Sequence, residues 1–117
     1  MTGETESASA FEAWERRRRQ EAVLEGIEET VRLAEELSWP PAAPGLAERI
    51  REEVIPGLLD ARTYIEVGQV KAPEVREALS AARLAAAEIA DRDHSFARLV
   101  SRLRALAEDT DTAAKGA

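Results

Sequence analysis

The sequence predicts an all-α fold, an antiparallel up-down-up bundle of three long helices. Three observations carry this. Ala, Glu, Arg and Leu dominate the 117 residues, and all four are strong helix formers. Apolar residues recur at steps of three and four through most of the chain, the spacing of one helical face. Only two Pro/Gly clusters interrupt that pattern, residues 39–45 and 67–73. Three periodic segments with two tight connections give the bundle.

Residues 1–8 are polar and lack periodicity, so they read as a disordered tail. The first helix is predicted over residues 9–38. Val23, Leu24, Ile27, Val31, Ala34 and Leu37 form its apolar stripe. Ser9 stands as N-cap with Glu12 three residues on, the pattern of a capping box. Trp39-Pro40-Pro41 and Pro44-Gly45 then end the helix, because proline lacks an N–H and restricts its predecessor.

The second helix is predicted over residues 46–67, on Leu46, Ile50, Val54, Ile55, Leu58, Leu59, Tyr64 and Ile65. Pro56-Gly57 lies in its middle. Proline there removes one backbone hydrogen bond and predicts a kink. A split into two short helices is the alternative and gives a four-helix count. Gly68 suits a helix C-cap, and Pro73 suits the first turn of the next helix.

The third helix is predicted over residues 73–108. Val75, Leu79, Ala82, Ala86, Ile89, Asp93, Phe96, Val100, Leu103 and Ala107 step by four and three without a break. That heptad seam argues for one continuous helix, about 50 Å long, packed as in a coiled coil. Residues 109–117 read as a second disordered tail, leaving 9–108 as a single domain. In this arrangement helices 1 and 3 are parallel. Phe11 and Trp14 should then lie near Tyr64, Ile65 and Val75, and Trp39 near Leu46 and Leu103. The acidic end of helix 1 (Glu28, Glu29, Glu35, Glu36) should meet the arginine end of helix 3 (Arg98, Arg102, Arg104).

Composition excludes several function classes. There is no cysteine, hence no disulfide framework and no cysteine-bound zinc. No apolar run approaches the ~20 residues of a membrane span. The first ten residues lack the basic and apolar regions of a secretory signal. A net charge of −7 argues against nucleic acid as a partner. No nucleophile motif, glycine-rich phosphate loop or HExxH is found. The expectation is a cytoplasmic, acidic binding protein, not an enzyme, with no cofactor and no membrane or nucleic-acid partner. Large apolar residues are few for a chain of this size, and a thin core is often supplemented by self-association. A homo-oligomer follows, a dimer first.

Four features bear on function. Arg16, Arg17, Arg18 and Arg19 wrap a full helical turn, so they cannot all face one partner. Glu12 and Glu15 stand four residues before Arg16 and Arg19, in the favourable order for ion pairs along the helix. The quartet also separates Phe11 and Trp14 from the stripe that starts at Val23. A projecting Phe-Trp-Arg segment has the composition of a protein-binding hot spot, which makes Phe11, Trp14 and Arg16 to Arg19 the candidate partner site. The alanine-rich face of helix 3, with Ala78, Ala82, Ala85 and Ala86, permits close helix approach and is the candidate for self-association together with Asp93. Asp93 is a carboxylate on an apolar seam, and either pairs, fixes register in a dimer, or breaks the helix by capping a new one at Phe96. Finally, Asp91 and His94 sit three residues apart, as in the carboxylate-x-x-His pairs of di-iron bundles. A dimer could complete such a metal site, with Glu88 adding a ligand. His94 beside Arg98 also admits a histidine phosphotransfer reading.

Overall fold

The computed structural model describes the backbone of residues 2–38 and 44–116 and the side chains of residues 9–38 and 45–115. Trp39, placed by the sequence reading near Leu46, lies outside the described residues. The described chain is helical nearly throughout and holds no strand. It forms α1 (Thr2–Leu37), α2 (Pro44–Arg49), a π-turn (Ile50–Val54), α3 (Ile55–Glu66), α4 (Pro73–Arg92), a 3-10 turn (His94–Phe96) and α5 (Ala97–Gly116). The helix α2, the π-turn and α3 follow one another without a gap and make one rod. Four rods therefore pack as an antiparallel all-α bundle.

Neighbours follow from the contacts. α3 packs on α4, α4 on α5, α5 on α1 and α1 on α3. Directions follow from side-chain pairs. Arg76 near the start of α4 bonds Asp111 near the end of α5. Glu29 of α1 meets Arg102 of α5, and Gly26 of α1 approaches Leu106. Arg49 bonds Glu88, and Gly57 approaches Ala78. Each pair advances in opposite senses along the two helices. The order is up, down, up, down.

The fourth rod arises where one continuous third helix was predicted. Asp93 is extended, with φ −141° and ψ 107°. Its carboxylate accepts the Ser95 N–H at 3.0 Å and the Ser95 hydroxyl at 2.7 Å. These local bonds compete with helical continuation and start the 3-10 turn from which α5 departs. The break by capping is thus what the chain adopts, and Asp93 is neither an interior ion pair nor a register residue. Folding back also buries more. Phe96, Leu99 and Leu103 are at most 1% exposed, whereas a straight helix would run past its shorter neighbour.

The second rod stays continuous past Pro56. The irregularity falls one turn earlier, where Ile55 N–H bonds to Ile50 O, five residues back. Core positions explain it as well as the proline does. Ile50, Val54 and Leu58 are all fully buried at steps of four. In an ideal helix each such step drifts about 40° off the stripe. One wider turn removes the drift. The rod ends in a Schellman motif: Gly68 N–H bonds Ile65 O at 3.0 Å and Gln69 N–H bonds Tyr64 O at 2.9 Å. Gly68 takes φ +81°, a conformation that costs glycine little. Pro73 is the first residue of α4, after Ala72 as N-cap.

Both expected tails are helical over their described residues. α1 begins at Thr2, so Ser9 lies inside it and caps nothing. Glu, Ala and Ser without a proline give that segment nothing to stop a helix. α5 continues to Gly116 because its stripe continues: Thr110 and Ala113 are buried. A buried threonine hides from hydropathy patterning. Thr30 and Thr110 satisfy their hydroxyls on carbonyls four residues back, Gly26 O and Leu106 O. Among the described residues no buried side-chain polar atom lacks a partner.

Candidate functional site

The N-terminal half of α1 stands apart from the core. The helix has 36 residues, about 54 Å at 1.5 Å per residue. From Ser9 to Ala22 no side chain is buried, and Val23 is the first that is. The molecule is correspondingly elongated, 64 × 21 × 19 Å. Residues 2–22 form an arm, and the bundle proper starts at Val23.

Three side chains organise the arm. Phe11 and Trp14, three residues apart, share a face with ring centroids 5.9 Å apart. Arg18 lies one turn beyond, its guanidinium 5.1 Å from the centre of the Trp14 ring. Phe11 is 58% exposed and Trp14 47%. Neither joins the core that holds Ile65 and Val75, contrary to the placement read from sequence. The stack of ring on ring and cation on ring contributes on the order of 0.5–1 kcal/mol per contact at an exposed site. Its larger effect is to fix three flexible side chains before any partner arrives, which lowers the entropy cost of binding.

The quartet divides by face. Arg19 pairs with Glu15 at 3.6 Å, as the spacing predicts. Arg18 covers Trp14. Arg16 and Arg17 are exposed and form no ion pair among the described residues. The arm thus offers an aromatic ladder ending in a cation, with further positive charge wrapped around the next turn. The Trp-x-x-x-Arg spacing was the signal for the cation–ring contact, and it was available in the sequence.

The other candidates lie elsewhere. Ala82, Ala85 and Ala86 are buried and Ala78 is half-buried, all within one chain. Gly57 comes so near that a Cβ there would meet Ala78 O at 2.8 Å and Ala82 Cβ at 3.2 Å. The close approach allowed by alanine is made between α3 and α4, inside the protomer. Asp91 ends α4 whereas His94 opens the 3-10 turn, so the two do not share a regular helix turn. Glu88 is engaged by Arg49 at 2.6 Å. No group of three or more potential ligands is assembled among the described residues. His94 is exposed at the bundle tip.

Electrostatics elsewhere are local. Hydrogen bonds from Ser95 hold the Asp93 carboxyl below its ordinary range. Arg49 does the same for Glu53 and is itself raised by Glu53 and Glu88. Glu29, Arg32, Glu36, Arg98 and Arg102 share a shallow groove between α1 and α5. The acidic and arginine-rich ends do meet, although α1 and α5 are antiparallel. An open groove of about 270 Å³ lies between the 67–72 connection and the end of α5, with the Arg76–Asp111 pair on its wall. No described helix is long and apolar enough to cross a membrane. No family model matches the chain, and no curated protein or solved structure is significantly similar to it.

Proposed function

We propose that the chain is a helical protein–protein interaction module and that the arm of α1 is its binding element. One observation carries this: an exposed Phe11–Trp14–Arg18 ladder on a helix half that buries nothing. Trp and Arg are the residues most enriched where binding energy concentrates. A helix of this length is marginal in water when unsupported, so a partner that covers it also stabilises it. The four-rod body provides the rigid base from which the arm projects.

Site-specific photo-crosslinking in cells tests the reading. A benzophenone amino acid replaces Phe11 in one chain and Ala105, exposed on α5, in another. Defined adducts from position 11 and not from position 105 support the arm as the binding element. Equal labelling from both positions, or none from position 11, removes the basis for the proposal.

A further inference from the structure

We infer that the arm's partner is a second copy of this chain, bound arm to arm and antiparallel in a two-fold dimer. This rests on the arm being a binding element, as proposed above. The ground is charge order along one helix. Before the quartet the arm carries Glu4, Glu6, Glu12 and Glu15 and no basic residue; the quartet itself is four arginines. The arm is therefore acidic in its first two-thirds and basic at its base.

A parallel copy would set arginines against arginines and glutamates against glutamates, which is repulsive at every turn. An antiparallel copy sets each acidic stretch against the other's arginines, at both ends, by symmetry. Such self-complementarity is what a two-fold interface requires. With Phe11 of one arm opposite Trp14 of the other, Arg16 to Arg19 run past positions 9 to 6, and Glu12 and Glu4 stand within a turn on either side. Phe11 and Trp14 then lie at the centre of the contact and the charges at its ends, the usual arrangement of apolar core and polar rim. The two bodies point away from each other, since each begins at Val23, beyond the overlap. An arm from Thr2 to Arg19 offers about 27 Å of helix. That length suits a weak, salt-sensitive association. It also explains why the alanine face need not be exposed for self-association: the arm, not α4, supplies the surface.

Sedimentation equilibrium of the full chain across a concentration series tests the inference. Three proteins are compared: the natural chain, an all-acidic arm (R16E, R17E, R18E and R19E) and an all-basic arm (E4R, E6R, E12R and E15R). The natural chain should dimerise, and each variant alone should associate at least about tenfold more weakly, the scale of losing one strong contact. An equimolar mixture of the two variants should restore the dimer. Restoration also shows that both variants fold. A natural chain that stays monomeric, or a dimer that both variants retain, overturns the inference. Adducts from position 11 separate the two levels. A monomer that crosslinks to a different protein defeats self-pairing and keeps the binding role of the arm; a monomer without adducts defeats both.

Discussion

Asp93 decides where the chain turns. Its carboxylate takes two hydrogen bonds from Ser95, and these hold its pKa below the ordinary value. A lowered folded-state pKa gives stability that is complete above the unfolded value of about 3.9 and is lost as pH falls through the folded value. Asp93→Ala should lower the melting temperature at neutral pH and flatten the acid limb of the stability profile. Asp93→Asn, also a good cap, should recover part of the neutral loss but not the acid limb. Thermal melts at a series of pH values check both. Gly57 is the second decisive residue. Alanine there gains up to about 1 kcal/mol of helix propensity but drives a methyl into the backbone of α4. Overpacking of that kind costs about 1–3 kcal/mol. Gly57→Ala should therefore destabilise, as read by urea unfolding. Gly26→Ala should cost less, because its neighbour is the end of the flexible Leu106 side chain at 3.2 Å.

Among the elements, the arm and the rod through Pro56 behave oppositely. The arm is helical yet outside the core, so Trp14→Ala should change unfolding free energy by no more than about 0.5 kcal/mol, the range of exposed substitutions. A larger loss in the monomeric chain would place Trp14 in the core and count against the binding role. In the rod, steps of four at Ile50, Val54 and Leu58 call for the wider turn independently of the proline. Pro56→Ala should keep the π-turn, visible in backbone chemical shifts, and cost no more than about 1 kcal/mol through the looser unfolded state. These elements also show what periodicity can convey. The stripe from Val23 to Leu37, the Gly68 cap and Pro73 at the start of α4 were legible, since each has a local signature. The turn at Asp93 was only an alternative. Steps of four and three pass through it undisturbed, and the two hydrogen bonds that make it involve one serine. The start of α1 at Thr2 was not legible, because a helix that buries nothing leaves no apolar pattern. The same reason makes the arm conspicuous: Phe11 and Trp14 have no stripe to join, and the sequence marked them as the site without showing that Arg18 completes it.

At the scale of the molecule, the body is held by burial, with Ile27, Ile50, Leu58, Ile89 and Leu99 fully enclosed. Ion pairs join neighbouring rods at Glu29–Arg102, Arg49–Glu88 and Arg76–Asp111, but all are on the surface, where such pairs add little. Local stability should fall steeply along α1. Amide hydrogen exchange should be slowest from Val23 to Ala34 and fastest before Arg16, because opening free energy follows buried contact. Uniform protection along α1 in the monomer would contradict that gradient. The arm has one more effect. A compact chain of this length has a radius of gyration of about 13 Å, and this one has 16.6 Å. By the same scaling, that radius belongs to a compact chain of roughly 200 residues. On a sizing column a single copy will therefore elute close to where a globular pair would, so its molar mass has to come from scattering or sedimentation.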